Sequence, residues 1–341
     1  TRFSGVTGVQ TCALPILMIL ALLQALLVAF GVMSIPLLIV LAVALGTVNA
    51  IDMPIRQSFF SEMVPRDEVG RAVAFNSAMF NGARVVGPAV GGVLIGAIGV
   101  AGCFAVNGVS FLATLLALLL MREVELHAAP RGARPRSVQA VKTSLMEGLR
   151  YVQRTPIVAL CVFVIGVISG VAMNFNVIIP PLSRVVLQIS AAGLGGLMAA
   201  VGFGLLLGAL TVAALREPRR KLIVIGGALL GVFSVAAGAA AGSGLAVAVP
   251  LTGLALFGAG FGAISMAATA NASIQTTTPA PLRGRVMSVY TTVFAGSTPI
   301  GGLATGAAVS LLGASGALAL AGLLAVLAAG FATLYWRSLL R

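Results

Sequence analysis

The chain has 341 residues, 59% of them apolar and only 9% charged, with 42 glycines besides. Ordinary globular domains are about 45–50% apolar with glycine counted, and about 25% charged, so polar residues are too few to coat a single buried core. This excludes a soluble globular enzyme, a disordered chain and a disulfide-rich secreted domain, and implies an all-α polytopic membrane protein. The net charge of +13 would suggest nucleic acid in a soluble chain. Here the basic residues recur between apolar stretches rather than on one face, as the positive-inside rule requires, so no nucleic-acid partner is expected.

Residues 1–16 stand apart. The string Gly8 to Ile16, GVQTCALPI, resembles the translation of a sequencing-adapter strand, and Arg2 is followed by no long apolar core of a signal peptide. They are read as a sequencing or assembly artefact, with the protein proper starting near Leu17, already inside a helix. Ten apolar windows of spanning length follow. Four precede a polar linker: A, Leu17–Ser34; B, Pro36–Arg56; C, Ala72–Ile98; D, Ala101–Met121. Six follow it: E, Pro156–Pro180; F, Ala191–Leu215; G, Leu222–Ala241; H, Leu245–Ile274; I, Val286–Leu312; J, Ala314–Trp336.

Every second connection is basic. Arg66 and Arg71 follow B, seven basic residues from Arg122 to Arg154 follow D, Arg216 to Lys221 follow F, Arg283 and Arg285 follow H, and Arg337 and Arg341 follow J. These connections and the C-terminus are therefore expected in the cytoplasm, with Arg184 the lone basic residue of an opposite-side loop. The organisation read is 17–121 as an N-terminal bundle, 122–155 as a cytoplasmic linker, and 156–341 as a C-terminal six-helix bundle. Within the linker, Val141, Leu145, Leu149 and Val152 recur at helical spacing, the pattern of an amphipathic helix at the membrane surface.

An internal repeat relates the two halves. At an offset of 214 residues, the segment from Val64 aligns without gaps with that from Thr278. Pro65, Gly70, Arg71, Phe80, Gly82, Gly87 and Gly92 match Pro279, Gly284, Arg285, Phe294, Gly296, Gly301 and Gly306; Gly99 and Gly102 match Gly313 and Gly316. Span C then corresponds to span I, six spans later, as in transporters built from parallel six-helix repeats. On that reading the second half is complete and the first lacks two helices, so the chain holds ten of twelve spans in a 4+6 arrangement.

The run from Ala50 to Gly92, AIDMPIRQSFFSEMVPRDEVGRAVAFNSAMFNGARVVGPAVGG, resembles the major facilitator superfamily, within it the branch of enterobactin exporters and drug-efflux permeases. The D-x-P-x-R-Q run at Asp52 to Gln57 and LRGRVMS at Leu282 to Ser288 carry that likeness. Gly87, Pro88, Gly91 and Gly92 form G-P-x-x-G-G, similar to the core of the fifth-helix motif of antiporters; Ala83 and Ala74 stand where its longer form has glycine. The resemblance implies alternating access, export of a small amphipathic molecule of siderophore or drug type, proton coupling, a bacterial inner-membrane location and a monomer. A non-transporting membrane scaffold and an uptake facilitator of the same fold stay open. An enzyme is not expected, for no cluster of His, Asp or Glu lies at the interface.

Several residues are singled out. Pro88 removes a helix hydrogen bond and the glycines beside it admit a close helix, which suits a rocking contact or ordinary small-residue packing. Asp52 and Arg56, spaced i, i+4 at the cytoplasmic end of B, suit a gate latch or a local ion pair. Arg71, Arg283, Gly284 and Arg285 flank the repeated helix and are grouped with the gate. Arg84, deep in span C, suits an anionic substrate, an acid on absent helices or snorkelling. Among scattered polar residues (Gln24, Asn76, Asn107, Asn174, Asn176, Asn271, Gln275 and Tyr290), Asn174, Asn176, Asn271 and Gln275 are the chosen cavity candidates, with interhelical hydrogen bonding as the alternative. No cofactor or metal is expected: Cys103 and Cys161 lie in apolar runs, and His127 has no neighbouring ligand set.

Overall fold

The computed structural model describes residues 6–62, 65, 68–120, 138–215 and 219–339. Among them the regular elements are helical: α1 (Val6–Ala29), α2 (Ile35–Glu62), α3 (Val69–Leu120), α4 (Val138–Arg154), α5 (Pro156–Ala172), α6 (Phe175–Pro181), a π-helical turn (Leu182–Val186), α7 (Ala191–Ala213), α8 (Lys221–Gly242), α9 (Ala248–Thr277) and α10 (Ala280–Leu339). Six of the described helical stretches are long and apolar enough to cross a membrane, the last being a 54-residue stretch from Leu282 to Tyr335. The chain divides into two compact units, Thr1–Phe80 with Val93–Ala133, and Asn81–Gly92 with Arg134–Arg341.

In the first unit α1 packs on α2. Gly31, at φ +68, ends the α1 turn, and Pro36 sits in the first turn of α2, where a missing N–H costs nothing. Gly108 of α3 is buried where an added Cβ would stand 2.7 Å from the Leu22 side chain of α1. Two windows shift against the sequence reading. Span A ends at Ala29 rather than Ser34, because the apolar count ran on through the Gly31 turn. Span B runs on to Glu62, because Gln57 to Glu62 is polar enough to fall out of a hydropathy window yet still helix-forming.

Spans C and D form one bent element, α3, and spans I and J form another, α10. The bends fall at Gly99 (φ 72, ψ 177) and Gly313 (φ 71, ψ 169), which are the positions the repeat pairs. This backbone region is closed to residues with a Cβ. The same three-residue corner recurs: an added Cβ would stand 2.7 Å from Ile98 at Gly102, and 3.0 Å from Leu312 at Gly316. At the same offset all four bounds of α1 and α2 fall within one residue of those of α8 and α9. The repeat is thus a repeat of backbone geometry, and it reaches upstream of the segment where the sequence match was legible.

The second unit is a helical bundle with its own core. Ile165 and Ile168 of α5, Ile223 and Leu230 of α8, Leu256 and Met266 of α9, and Leu318 of α10 are fully buried. Gly226 and Gly262 bring α8 and α9 together so closely that a Cβ on either would stand within 2.7 Å of the other's carbonyl oxygen. Outward-facing Ile300, Leu303 and Leu311 are 72–82% exposed, as expected of side chains whose solvent is lipid. The helix α5 starts cleanly: Thr155 is extended and Pro156 occupies the first turn. Only Thr155 separates it from α4.

Candidate functional site

Span E is not one helix. α5 stops at Ala172; Met173 (φ −96, ψ 11) and Asn174 (φ −84, ψ 44) leave helical geometry before α6 begins at Phe175. The local sequence explains the break. Gly166, Ser169, Gly170, Asn174 and Asn176 are weak helix formers, and Pro180 and Pro181 cannot donate to the carbonyls of Asn176 and Val177. Asn174 splices the two pieces. Its side-chain amide donates to the Gly170 carbonyl at 2.6 Å, replacing the backbone donor that a continuous helix would supply. Its own carbonyl accepts the N–H groups of Val177 and Ile178, at 3.0 and 3.3 Å.

The break lies where α5 crosses α10. The hydroxyls of Ser169 and Ser297 are hydrogen-bonded at 2.8 Å. A Cβ added at Gly301 would overlap the Gly170 carbonyl oxygen, and would stand 2.5 Å from its carbon and 2.8 Å from Asn174 Nδ2. Ser169, Gly170, Asn174, Ser297 and Gly301 therefore make a polar seam within an apolar core. Tyr290, one turn before the stacked Phe294 (ring centroids 6.3 Å apart), is buried on the same helix. Of this group only Asn174 and Tyr290 were singled out in the sequence. Gly301 was visible there only as the repeat partner of Gly87, and the serines carried no signal.

The cavity candidates do not form one cluster. Asn174 is buried, about 27 Å along the helix from Pro156 at 1.5 Å per residue; Asn176, two residues on, is exposed. Asn271 and Gln275 sit near the far end of α9 and bond each other at 2.5 Å, with Gln275 exposed. In the first unit Gln24 is buried at 7% exposure. The side chains of Arg56, Arg71, Asn76, Arg84 and Pro88, and Gly92, lie outside the described residues, as does the linker from 121 to 137. Gly87 is exposed, Gly91 is half-buried, and a Cβ at either would meet nothing within 4 Å.

Asp52 is placed differently from the sequence reading. Because α2 continues to Glu62, Asp52 lies about 15 Å inside that end of the helix and is only 3% exposed. It is a buried acid within an apolar helix.

The basic connections of the second unit converge on one end. Arg285, at the start of α10, pairs with Glu147 of α4, both side chains about 40% exposed. A Cβ at Gly148 would stand 2.6 Å from the Arg285 carbonyl oxygen, so α4 lies directly on α10. Tyr151 donates its hydroxyl to the Thr277 carbonyl at 3.2 Å, and Arg220 reaches the Thr277 hydroxyl at 3.3 Å. Arg283 and Gly284 are exposed beside them. Of the gate candidates in this unit, Arg285 is thus held by a contact the sequence did not anticipate.

Comparison with known proteins gives this geometry a context. A family described as transmembrane secretion effectors, of the major facilitator type, matches residues 10–339. A transporter of that type from Bacillus subtilis (strain 168), YfiS, is 28% identical over 248 residues, covering 70% of this chain and 57% of its own. The multidrug efflux pump Tap of Mycolicibacterium fortuitum is 30% identical over 303 residues, covering 86% of this chain and 69% of its own. The chain thus spans less than two thirds of the first relative's length. Among solved structures, a POT family transporter in complex with a thioalcohol-conjugated peptide matches 100% of this chain and 83% of its own with a TM-score of 0.74 at 14% identity, a likeness of fold.

Proposed function

We propose that this chain, which belongs to the transmembrane secretion effector family of the major facilitator superfamily, exports small amphipathic molecules across the bacterial inner membrane. Family and relatives are transporters, not enzymes. The observation that carries the export reading is the 30% identity with a multidrug efflux pump across 86% of the chain. A drug-like cargo follows more directly from that relative than a siderophore does.

The mechanism we infer is alternating access by two six-helix bundles. The shared bends at Gly99 and Gly313 support a duplicated bundle. Matching α1, α2 and the two limbs of α3 to α8, α9 and the two limbs of α10 leaves α5 to the π-helical turn, and α7, without counterparts among the described residues. This favours ten of twelve spans, in a 4+6 arrangement, on this chain. The genomic sequence upstream of Leu17 tests it: two further spans there support the reading, and a start codon at that point overturns it. The cargo would meet the second bundle at the broken span, where Asn174 lies beside the Ser169–Ser297 pair of the α5–α10 crossing. We infer from the positive-inside rule that the basic end, with Arg150, Arg154, Arg220, Arg283 and Arg285, faces the cytoplasm.

Export of this kind draws on the proton gradient, and Asp52 is our candidate for the residue that carries the proton. A buried acid in an apolar helix is costly and is usually functional. Arg84, by its depth along α3, is proposed to face an anionic portion of the cargo, and the Gly87–Pro88–Gly91–Gly92 run to be the rocking contact, with Arg56 and Arg71 near the gate. The test is dye retention in a host stripped of its own pumps. Expression should lower retention of an amphipathic dye, and a protonophore should restore it. Retention unchanged by expression would overturn the export reading.

A further inference from the structure

We propose that α4 is a lipid-binding helix: its apolar flank seats in the bilayer leaflet beside it, and Arg150 and Arg154 hold the phosphates of anionic lipids there. Three faces of the helix have separate fates. One is docked on the bundle through Gly148, Tyr151 and Val152, the last only 6% exposed. The second carries Leu145, Met146 and Leu149, which are 43%, 42% and 37% exposed, with exposed Gln153 at its C-terminal end. The third carries Arg150 and Arg154, both exposed. At 100° per residue Leu149 lies between the docked face and the arginines, the order of an interfacial helix with a basic margin.

Two observations choose lipid as the occupant. Height is the first. Thr155 alone separates α4 from the spanning helix that starts at Pro156, so α4 leaves the bundle where the span meets the headgroups. Charge is the second. The charged residues of α4 are Lys142, Glu147, Arg150 and Arg154, and the single acid is taken by Arg285. Among the described side chains, the charges that α4 leaves exposed, Arg150 and Arg154, are basic, and an anionic leaflet enriches such groups roughly fivefold per side chain.

The proposal rests on the membrane reading but not on cargo, direction or sidedness. The chain has one tryptophan, so Trp336→Phe with Leu149→Trp gives a single fluorophore on the proposed flank. The protein is reconstituted in phosphatidylcholine vesicles carrying equal fractions of either dibrominated phosphatidylcholine or dibrominated phosphatidylglycerol in both leaflets. We expect quenching by both and at least about twofold more by phosphatidylglycerol, falling to parity with Arg150→Gln and Arg154→Gln or in high salt. No quenching by either lipid would mean that protein covers the flank, and equal quenching would mean that no anionic preference exists; both overturn the proposal. If Leu149→Trp does not fold, Met146→Trp reads the same flank. Loss of transport with the lipid preference intact would count against the export reading alone.

Discussion

The crossing of α5 and α10 offers a sharp test, because the repeat supplies its own control. Gly301→Ala puts a methyl group into the Gly170 peptide. The new Cβ would stand 2.5 Å from the carbonyl carbon, where ordinary contact begins at 3.4 Å, so the helices must part by about 1 Å or more. Parting by that much takes the Ser169–Ser297 bond from 2.8 Å beyond hydrogen-bonding range. Overpacking costs about 1–3 kcal/mol and the lost bond about 1 kcal/mol more. At about 2–4 °C per kcal/mol for a unit of this size, the midpoint should fall by about 5–15 °C. Gly87→Ala, at the paired position, meets nothing within 4 Å and gains about 1 kcal/mol of helix propensity, so its midpoint should hold or rise. Thermal unfolding in detergent, followed by a thiol-reactive dye, reads both variants, since Cys161 is fully buried. Equal midpoints for Gly301→Ala and the parent chain would refute the close crossing.

Other substitutions separate the roles of neighbouring groups. Asn174→Ala should cost about 1–3 kcal/mol by leaving the buried Gly170 carbonyl unsatisfied, measured as the same midpoint; Asn174→Gln should recover little of it, because its longer side chain does not fit the splice. Removing Glu147 or Arg285 singly should shift stability by less than about 1 kcal/mol, since the pair is part-exposed and screened. Gly148→Leu, by contrast, should detach α4 and make Tyr151 accessible to modification. Arg84→Gln should lower efflux of anionic cargo more than of neutral cargo; equal losses in a paired-substrate assay would remove its proposed contact.

Much of the architecture was legible because two signals were strong. Apolar windows of spanning length located the helices, and the glycine matches at offset 214 located the corners at Gly99 and Gly313. What escaped depends on partners distant in sequence. A window average cannot register the break at Met173–Asn174, since the carbonyl left over is satisfied by one side chain four residues away. Hydropathy ended the second span at Arg56, so Asp52 was read at the end of its helix, and its burial had no signal in the window average. Arg285 was grouped with the gate from its repeat position, and its pairing with Glu147, 138 residues earlier, has no local trace. The amphipathic spacing of α4 was plain, but which of its faces docks could be learned only from Gly148 meeting the Arg285 carbonyl.

Flux into inside-out vesicles separates proton-driven export from other routes of dye movement. Vesicles holding the protein should accumulate an amphipathic dye when made acid inside, and lose it when the gradient is collapsed. Asp52→Asn should abolish accumulation while sparing downhill exchange of the dye. Accumulation that ignores the gradient would rule out the proton as the energy source, and accumulation that survives intact in Asp52→Asn would rule out Asp52 as the proton carrier.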